Sequence, residues 1–289
     1  MSYRIAFKQF VPPIALEGYR AVKRAVQTQP LVEWSWLSSW PDTQMPSGWN
    51  HQSIVDAQIR KWPQFCAVLE GSGPLGVAHE AEEPHGNDVG AQNTVLCFAY
   101  VLLRASAQRA RLSLLDWGCG LGHYARLTRA LAPDLQLDYI GKDVAPLVDA
   151  ARPLHPNAKF FARDEEAFQV RADCVLVSGS LHYSQDWRAT LHALANCAID
   201  SLYVARLPTL EHSASYVVVQ RPHRWGYATE YHGWFLNRAE FLSFVKSCGF
   251  RLEREFLMHE APTIDGAPEQ CAYRGFWFRR EAPSQRSQA

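Results

Sequence analysis

A chain of 289 residues, 47% of them apolar, can fill a large core and is too apolar to be disordered. Its 29 Lys and Arg balance 29 Asp and Glu, so the formal net charge is zero, which argues against a nucleic-acid or anionic-surface partner. Seven cysteines are scattered without C-x-x-C spacing, which disfavours a zinc ribbon or redox dithiol and fits reduced thiols in a cytoplasmic protein.

At the start, MSYRIAFKQFVPP lacks the apolar centre of a signal peptide, and no run is long enough to span a membrane. Residues 1–87 are expected to form an irregular, partly helical cap. They are rich in Trp, Pro and Gly, as in WSWLSSWPDTQMPSGWN and GSGPLGVAHEAEEPHGND, and have few periodic runs. Their tryptophans (Trp34, Trp36, Trp40, Trp49) read first as packing residues.

From 88 to 281 the sequence is regular. DVGAQNTVLCFAYVLLRASAQ reads as a helix with Asn87 or Asp88 as N-cap. LSLLD (112–116) is a buried strand, HYARLTRALA a helix stopped by Pro133, and LQLDYIG a strand. APLVDAAR (helix), AKFFA (strand), DCVLVS (strand), DWRATLHALANC (helix) and SLYVAR (strand) follow. This alternation predicts right-handed βαβ units on a parallel sheet with helices on both faces. NRAEFLSFVKSCG is a helix ended by Gly249, and RLEREFLM and AYRGFWFRR are two closing strands, with an antiparallel edge expected. The expected fold is α/β: a Rossmann-like, seven-stranded, mostly parallel sheet, followed by a flexible polar tail at 282–289.

Between the first strand and its helix lies LLDWGCGLGHYA. Glycines let a chain turn sharply and let a ligand reach backbone amides. A dinucleotide would need G-x-G-x-x-G, but position 123 is His and the third glycine is Gly122. Asp116, just before the turn, would also repel a pyrophosphate. An acid there suits a cationic, phosphate-free ligand such as S-adenosylmethionine. Asp116 would anchor its ammonium, directly or through water, while Gly118 and Gly120 leave room for the amino-acid moiety.

LLDWGCGLGHYA resembles the first motif of the class I S-adenosylmethionine-dependent methyltransferases. The resemblance implies that Asp143, in YIGKDVAP, holds the ribose and that Asp164, in FFARDEEAF, meets the adenine. A carboxylate can accept from both ribose hydroxyls, and Asp164 alone would equally well cap a helix. SGSLHYSQDW, ARLPTL, YVVVQRP, GYATEYHGWFLNRAEF, YRGFWFRR and the early VPPIALEGYRAVKR are similar to a bacterial family of methyltransferases linked to surface-polysaccharide, or O-antigen, biosynthesis. That likeness implies a hydroxyl of a sugar or glycan precursor as acceptor. One departure is that His182 stands where the family often has Gln.

Ligands bind at the carboxyl ends of parallel strands, so residues 178–183 should border the transferred methyl. Ser178 would touch the cofactor, Tyr183 would line the acceptor pocket, and His182 is the first candidate general base. His182 packing over the adenosine without moving a proton is the plainer alternative. Arg206 ends the fifth strand and would grip an acidic substrate group or form a structural ion pair. HRWGYATEYHGW, read as one loop, offers His223, Tyr227, Tyr231, His232 and Trp234. These suit a sugar face or a packed lid, and His232 is the second candidate base. No cluster suggests a metal. Two further readings stay open: a natural-product O- or N-methyltransferase, and a cofactor-binding interaction protein without turnover. A nicotinamide-dependent dehydrogenase is disfavoured by the loop.

Overall fold

The computed structural model describes residues 32–42, 48–75 and 88–281. Asn87, the early VPPIALEGYRAVKR stretch and the 282–289 tail lie outside the described residues.

The segment read as irregular contains two regular elements. Strand β1 (Trp34–Leu37) is followed by a 19-residue helix, α1 (Gln52–Glu70), capped by His51, whose ring nitrogen accepts from Ser53 N. Pro63 lies inside that helix and obscures its periodicity in the sequence. The buried face still recurs at helical spacing, through Ile54, Gln58, Lys61 and Phe65. Helix α2 (Val89–Ala105) begins at Asp88, whose carboxylate accepts from Ala91 N at 2.9 Å.

Then β2 (Arg111–Trp117), α3 (His123–Leu131), β3 (Gln136–Lys142), α4 (Ala145–Ala151), β4 (Lys159–Phe161), α5 (Asp164–Ala167), β5 (Ala172–Ser178), α6 (Trp187–Cys197) and β6 (Ala198–Leu210) alternate as anticipated, except that the sequence reading had no helix at α5. After them come β7 (Tyr216–Gln220), β8 (Tyr231–Asn237), α7 (Arg238–Ser247), β9 (Phe250–Leu257) and β10 (Ala272–Arg280). Strands β4, β3, β2, β5 and β6 lie parallel in that spatial order. Strand β10 runs antiparallel to both β6 and β9, so β9 has the same direction as the parallel set.

Strands of this central sheet are apolar on both faces because helices cover both. Leu112, Leu114 and Leu176 pack on one side with Phe98 and Val101 of α2. Leu115, Val175 and Val177 pack on the other with Leu191 of α6 and Phe241 of α7. Neighbouring residues thus face opposite layers, as the two-residue strand period requires.

Three strands beyond the expected seven make a ten-stranded sheet. Strand β7 pairs antiparallel with β1 and β8, and β8 joins the end of β6 through Thr209 and Leu210. Residues Ala198–Ala205 of β6 lie beside β5, so β6 changes neighbour around Arg206. Arg206 has φ +49° and sits at a register shift against β10. A bulge of this kind bends a strand, and here it opens a wedge between β5 and β8. The short 3-10 turn Leu181–Tyr183 fills that wedge, with Tyr183 against Gly233 of β8. No described helix is long and apolar enough to cross a membrane.

Candidate active site

The glycine turn is tied to the end of β3, because Gly118 N and Cys119 N both donate to the Lys142 carbonyl, at 2.8 and 3.0 Å. Gly118, Gly120 and Gly122 all have positive φ, at +83°, +54° and +81°, where a side chain is strained. Added Cβ atoms would also collide. One at Gly118 would lie 2.4 Å from Ser180 Cβ, and one at Gly120 would lie 2.9 Å from Gln58 Oε1. Both glycines line a cavity of about 600 Å³, a size typical of small-molecule sites. Gly122 does not line it. Gly122 is the N-cap of α3, and its missing side chain makes room for His155.

Asp143, which the resemblance assigns to the ribose, lines the cavity wall just after β3. Its two carboxylate oxygens accept from Gly120 N and Val144 N, each at 2.7 Å. Burial raises its pKa, and those two amides oppose the rise. Asp164 also lines the cavity, and one of its oxygens accepts from Trp117 Nε1 and pairs with Lys142 Nζ, each at 2.6 Å. Lys142 lies 4.9 Å from the centre of the Trp117 ring. Ser178 lines the cavity with its hydroxyl 2.7 Å from that of Tyr124.

Asp116 departs from expectation. It is fully buried beneath the turn and does not line the cavity. The Tyr139 hydroxyl donates to one of its oxygens at 2.5 Å, and the other oxygen is buried without a partner among the described residues. Burial pushes the Asp116 carboxyl up to about 7, the Tyr139 hydrogen bond lowers it, and nearby Asp143 raises it further. So placed, Asp116 lies beneath the turn, bonded to Tyr139 and away from the cavity surface.

On the acceptor side, His182 is 1% exposed and lines the cavity, and neither ring nitrogen has a hydrogen-bond partner among the described residues. Burial, with the Arg206 guanidinium adding to it, pushes its pKa down to about 3. The imidazole is therefore neutral at physiological pH. Tyr183 lines the same space, its ring 4.0 Å from that of His182, and its hydroxyl donates to Gln220 Oε1 at 2.7 Å. Arg206 is also in the wall, but its guanidinium makes a two-point pair with Glu260 at 3.0 Å on each arm. That structural ion pair displaces the reading of Arg206 as a grip on an acidic substrate.

The HRWGYATEYHGW segment is not one loop. Its last four residues open β8, and strand alternation sends neighbours to opposite faces. Tyr231 points toward Trp49 and stacks on it, with ring centroids 4.6 Å apart. His232 and Trp234 point the other way, onto Trp40, at 5.7 and 5.9 Å. The Trp234 indole donates to the Gln185 carbonyl at 2.9 Å. None of Tyr231, His232 and Trp234 lines the cavity, so the structure does not bring His232 as a base, or the other two as substrate contacts, to the glycine turn and Asp143. His223 is likewise outside it, its Nδ1 3.1 Å from the Tyr227 carbonyl, while the adjacent Arg224 and Trp225 do line it. Among the described residues no His, Cys, Asp or Glu group is arranged to hold a metal.

Gln58, Trp117, Tyr124 and Lys142 also line the cavity and escaped the sequence reading. Gln58 had a signal: it is an uncharged polar residue on the apolar stripe of α1.

Residues 91–255 match a family model described as a methyltransferase domain. No curated protein matches the chain. Several solved structures are similar. A magnesium protoporphyrin IX methyltransferase from Synechocystis PCC 6803, with bound S-adenosylmethionine, is 16% identical; the match covers 79% of this chain and 97% of that one, with a TM-score of 0.46. A 1,6-didemethyltoxoflavin N1-methyltransferase from Burkholderia thailandensis is 15% identical over 84% and 94%, with a TM-score of 0.44. An O-methyltransferase family protein from the same organism is 20% identical over 80% and 72%, with a TM-score of 0.43. With more than half of its length matched to that family model, on a Rossmann-like sheet, the chain belongs to the methyltransferase-domain family and is an S-adenosylmethionine-dependent methyltransferase.

Proposed function

We propose that the enzyme methylates a hydroxyl group on a neutral sugar or glycan precursor. The observation that carries this reading is His182: a buried, neutral imidazole on the cavity wall with both nitrogens unpartnered among the described residues. Such a group calls for a small hydroxylic ligand, which both donates and accepts hydrogen bonds. The aromatic walls supplied by Trp34, Trp49, Tyr183 and Trp225 suit the apolar faces of a sugar ring. Arg206, committed to Glu260, favours a neutral acceptor over an acidic one. The resemblance of SGSLHYSQDW and its neighbours to polysaccharide-linked methyltransferases points the same way.

When bound, S-adenosylmethionine supplies an electrophilic methyl on a sulfonium. In this reading Asp143 accepts from the ribose hydroxyls and Asp164 from the adenine amino group, while Gly118 and Gly120 admit the thioether and amino-acid chain. The buried wall excludes water from the reacting centre. His182 accepts the acceptor's O–H hydrogen bond and aims its oxygen at the methyl, which is mainly positional catalysis. Because burial holds the ring far below its ordinary pKa, it would orient the hydroxyl and pass the proton released as the ether forms on to solvent rather than retain it.

The test is a radiolabelled methyl-transfer assay against free sugars, nucleotide-linked sugars, phenols and heteroaromatic amines. Label on a sugar oxygen is the expected outcome. Label confined to a phenol or ring nitrogen would replace this reading with a natural-product one. Cofactor binding without any transfer would favour an interaction protein.

A further inference from the structure

Helix α1 lies outside both the matched segment and the central sheet, yet it delivers one side chain to the cofactor turn. Gln58 is 3% exposed and lines the cavity, and its Oε1 is buried without a hydrogen-bond partner among the described residues. That oxygen lies 2.9 Å from the place a Cβ would take at Gly120, so it faces the cofactor turn where the glycine leaves the backbone bare. Buried carbonyl oxygens are nearly always paired, so this one calls for a donor from a ligand.

S-adenosylmethionine offers three kinds of donor: the adenine amino group, the ribose hydroxyls and the α-ammonium. Asp164 and Asp143 take the first two in the reading above. Asp116, to which the sequence assigns the third, is sealed beneath the turn. Glu260 is held by Arg206, and Asp88 caps α2. We infer that Gln58 is the residue that holds the amino-acid end of the cofactor. Its Oε1 accepts from the ammonium, and the NH₂ of the same carboxamide suits the α-carboxylate. The inference rests on the enzyme's use of S-adenosylmethionine, and it makes α1 part of the cofactor site.

Calorimetry with two probes tests it. S-adenosylhomocysteine carries the amino-acid chain; 5′-methylthioadenosine keeps the adenosine and sulfur but lacks that chain. Gln58→Met should weaken S-adenosylhomocysteine by about 10- to 100-fold, the range for a hydrogen bond to a charged group. It should leave 5′-methylthioadenosine within about twofold. Gln58→Asn, which withdraws the carboxamide by one methylene, should show the same selectivity if the Met variant does not fold. Asp143→Ala should weaken both probes alike. Unchanged S-adenosylhomocysteine affinity in the Gln58 variants, or equal losses on both probes, would overturn the assignment. A wild-type enzyme that binds neither probe would overturn it together with the cofactor reading.

Discussion

Two buried titratable groups, Asp116 and His182, are displaced in opposite directions and have opposite consequences for stability. Asp116 is raised from 3.8 to about 7, so between those values the native state holds a proton that the unfolded chain releases. Its contribution is fully present below pH 3.8 and is lost as pH rises through 7. Asp116→Asn should therefore flatten the denaturant-unfolding stability profile between about pH 4 and 7, relative to wild type. His182 runs the other way. Its contribution is present above its ordinary 6.5 and is lost as pH falls toward 3, because the unfolded imidazole takes up the proton first. At working pH the ring is a neutral donor and acceptor, which is what a glutamine amide also provides. His182→Gln should keep turnover within about tenfold of wild type, whereas His182→Phe should lose about a hundredfold or more. A wild-type rate profile showing an inflection near pH 6.5 that disappears in His182→Gln would contradict this account.

At the scale of elements, the change of neighbour along β6 shapes the acceptor side. The left-handed backbone at Arg206 costs on the order of 1 kcal/mol, and the two-point pair with Glu260 helps to hold it. Arg206→Ala and Glu260→Ala should each destabilise the fold by about 2 kcal/mol, and the double variant by little more than either. Chemical-denaturation double-mutant cycles measure this. The same region shows where the sequence was readable. The parallel strands announced themselves as short apolar runs between helices, and Asp143 was singled out by the resemblance of YIGKDVAP to a known motif. Strand β8 did not, because Gly233, His232 and Tyr231 look like turn and loop residues until β7 is there to pair with them. Asp116 was recognisable as the acid of a glycine turn, but its side-chain direction depends on the pleat of β2 and on Tyr139 rising from β3 to meet it. Gln58 was hidden because Pro63 interrupts the helical signal of α1.

For the whole molecule, the cavity draws on α1, β2, β3 and the turn after β5, so a ligand that binds there ties the N-terminal helix to the sheet. S-adenosylhomocysteine at about 100 times its Kd should stabilise the fold by about 2.7 kcal/mol, seen as a higher melting temperature. In a Gln58→Met variant the same ligand concentration should stabilise it less. The acceptor wall is assembled from more distant pieces still. Glu33, at the entry to β1, accepts from Gln220 at the end of β7, a partner 187 residues later in the chain. At 5–20 residues per second on the ribosome, β1 would wait roughly 10–40 s for its neighbour. Throughout that interval its tryptophan-bearing edge has no native strand to join, and such edges recruit other chains. The enzyme's yield during synthesis should thus depend on whatever shields that nascent ribbon, and slowing translation between β1 and β7 should increase the fraction that aggregates.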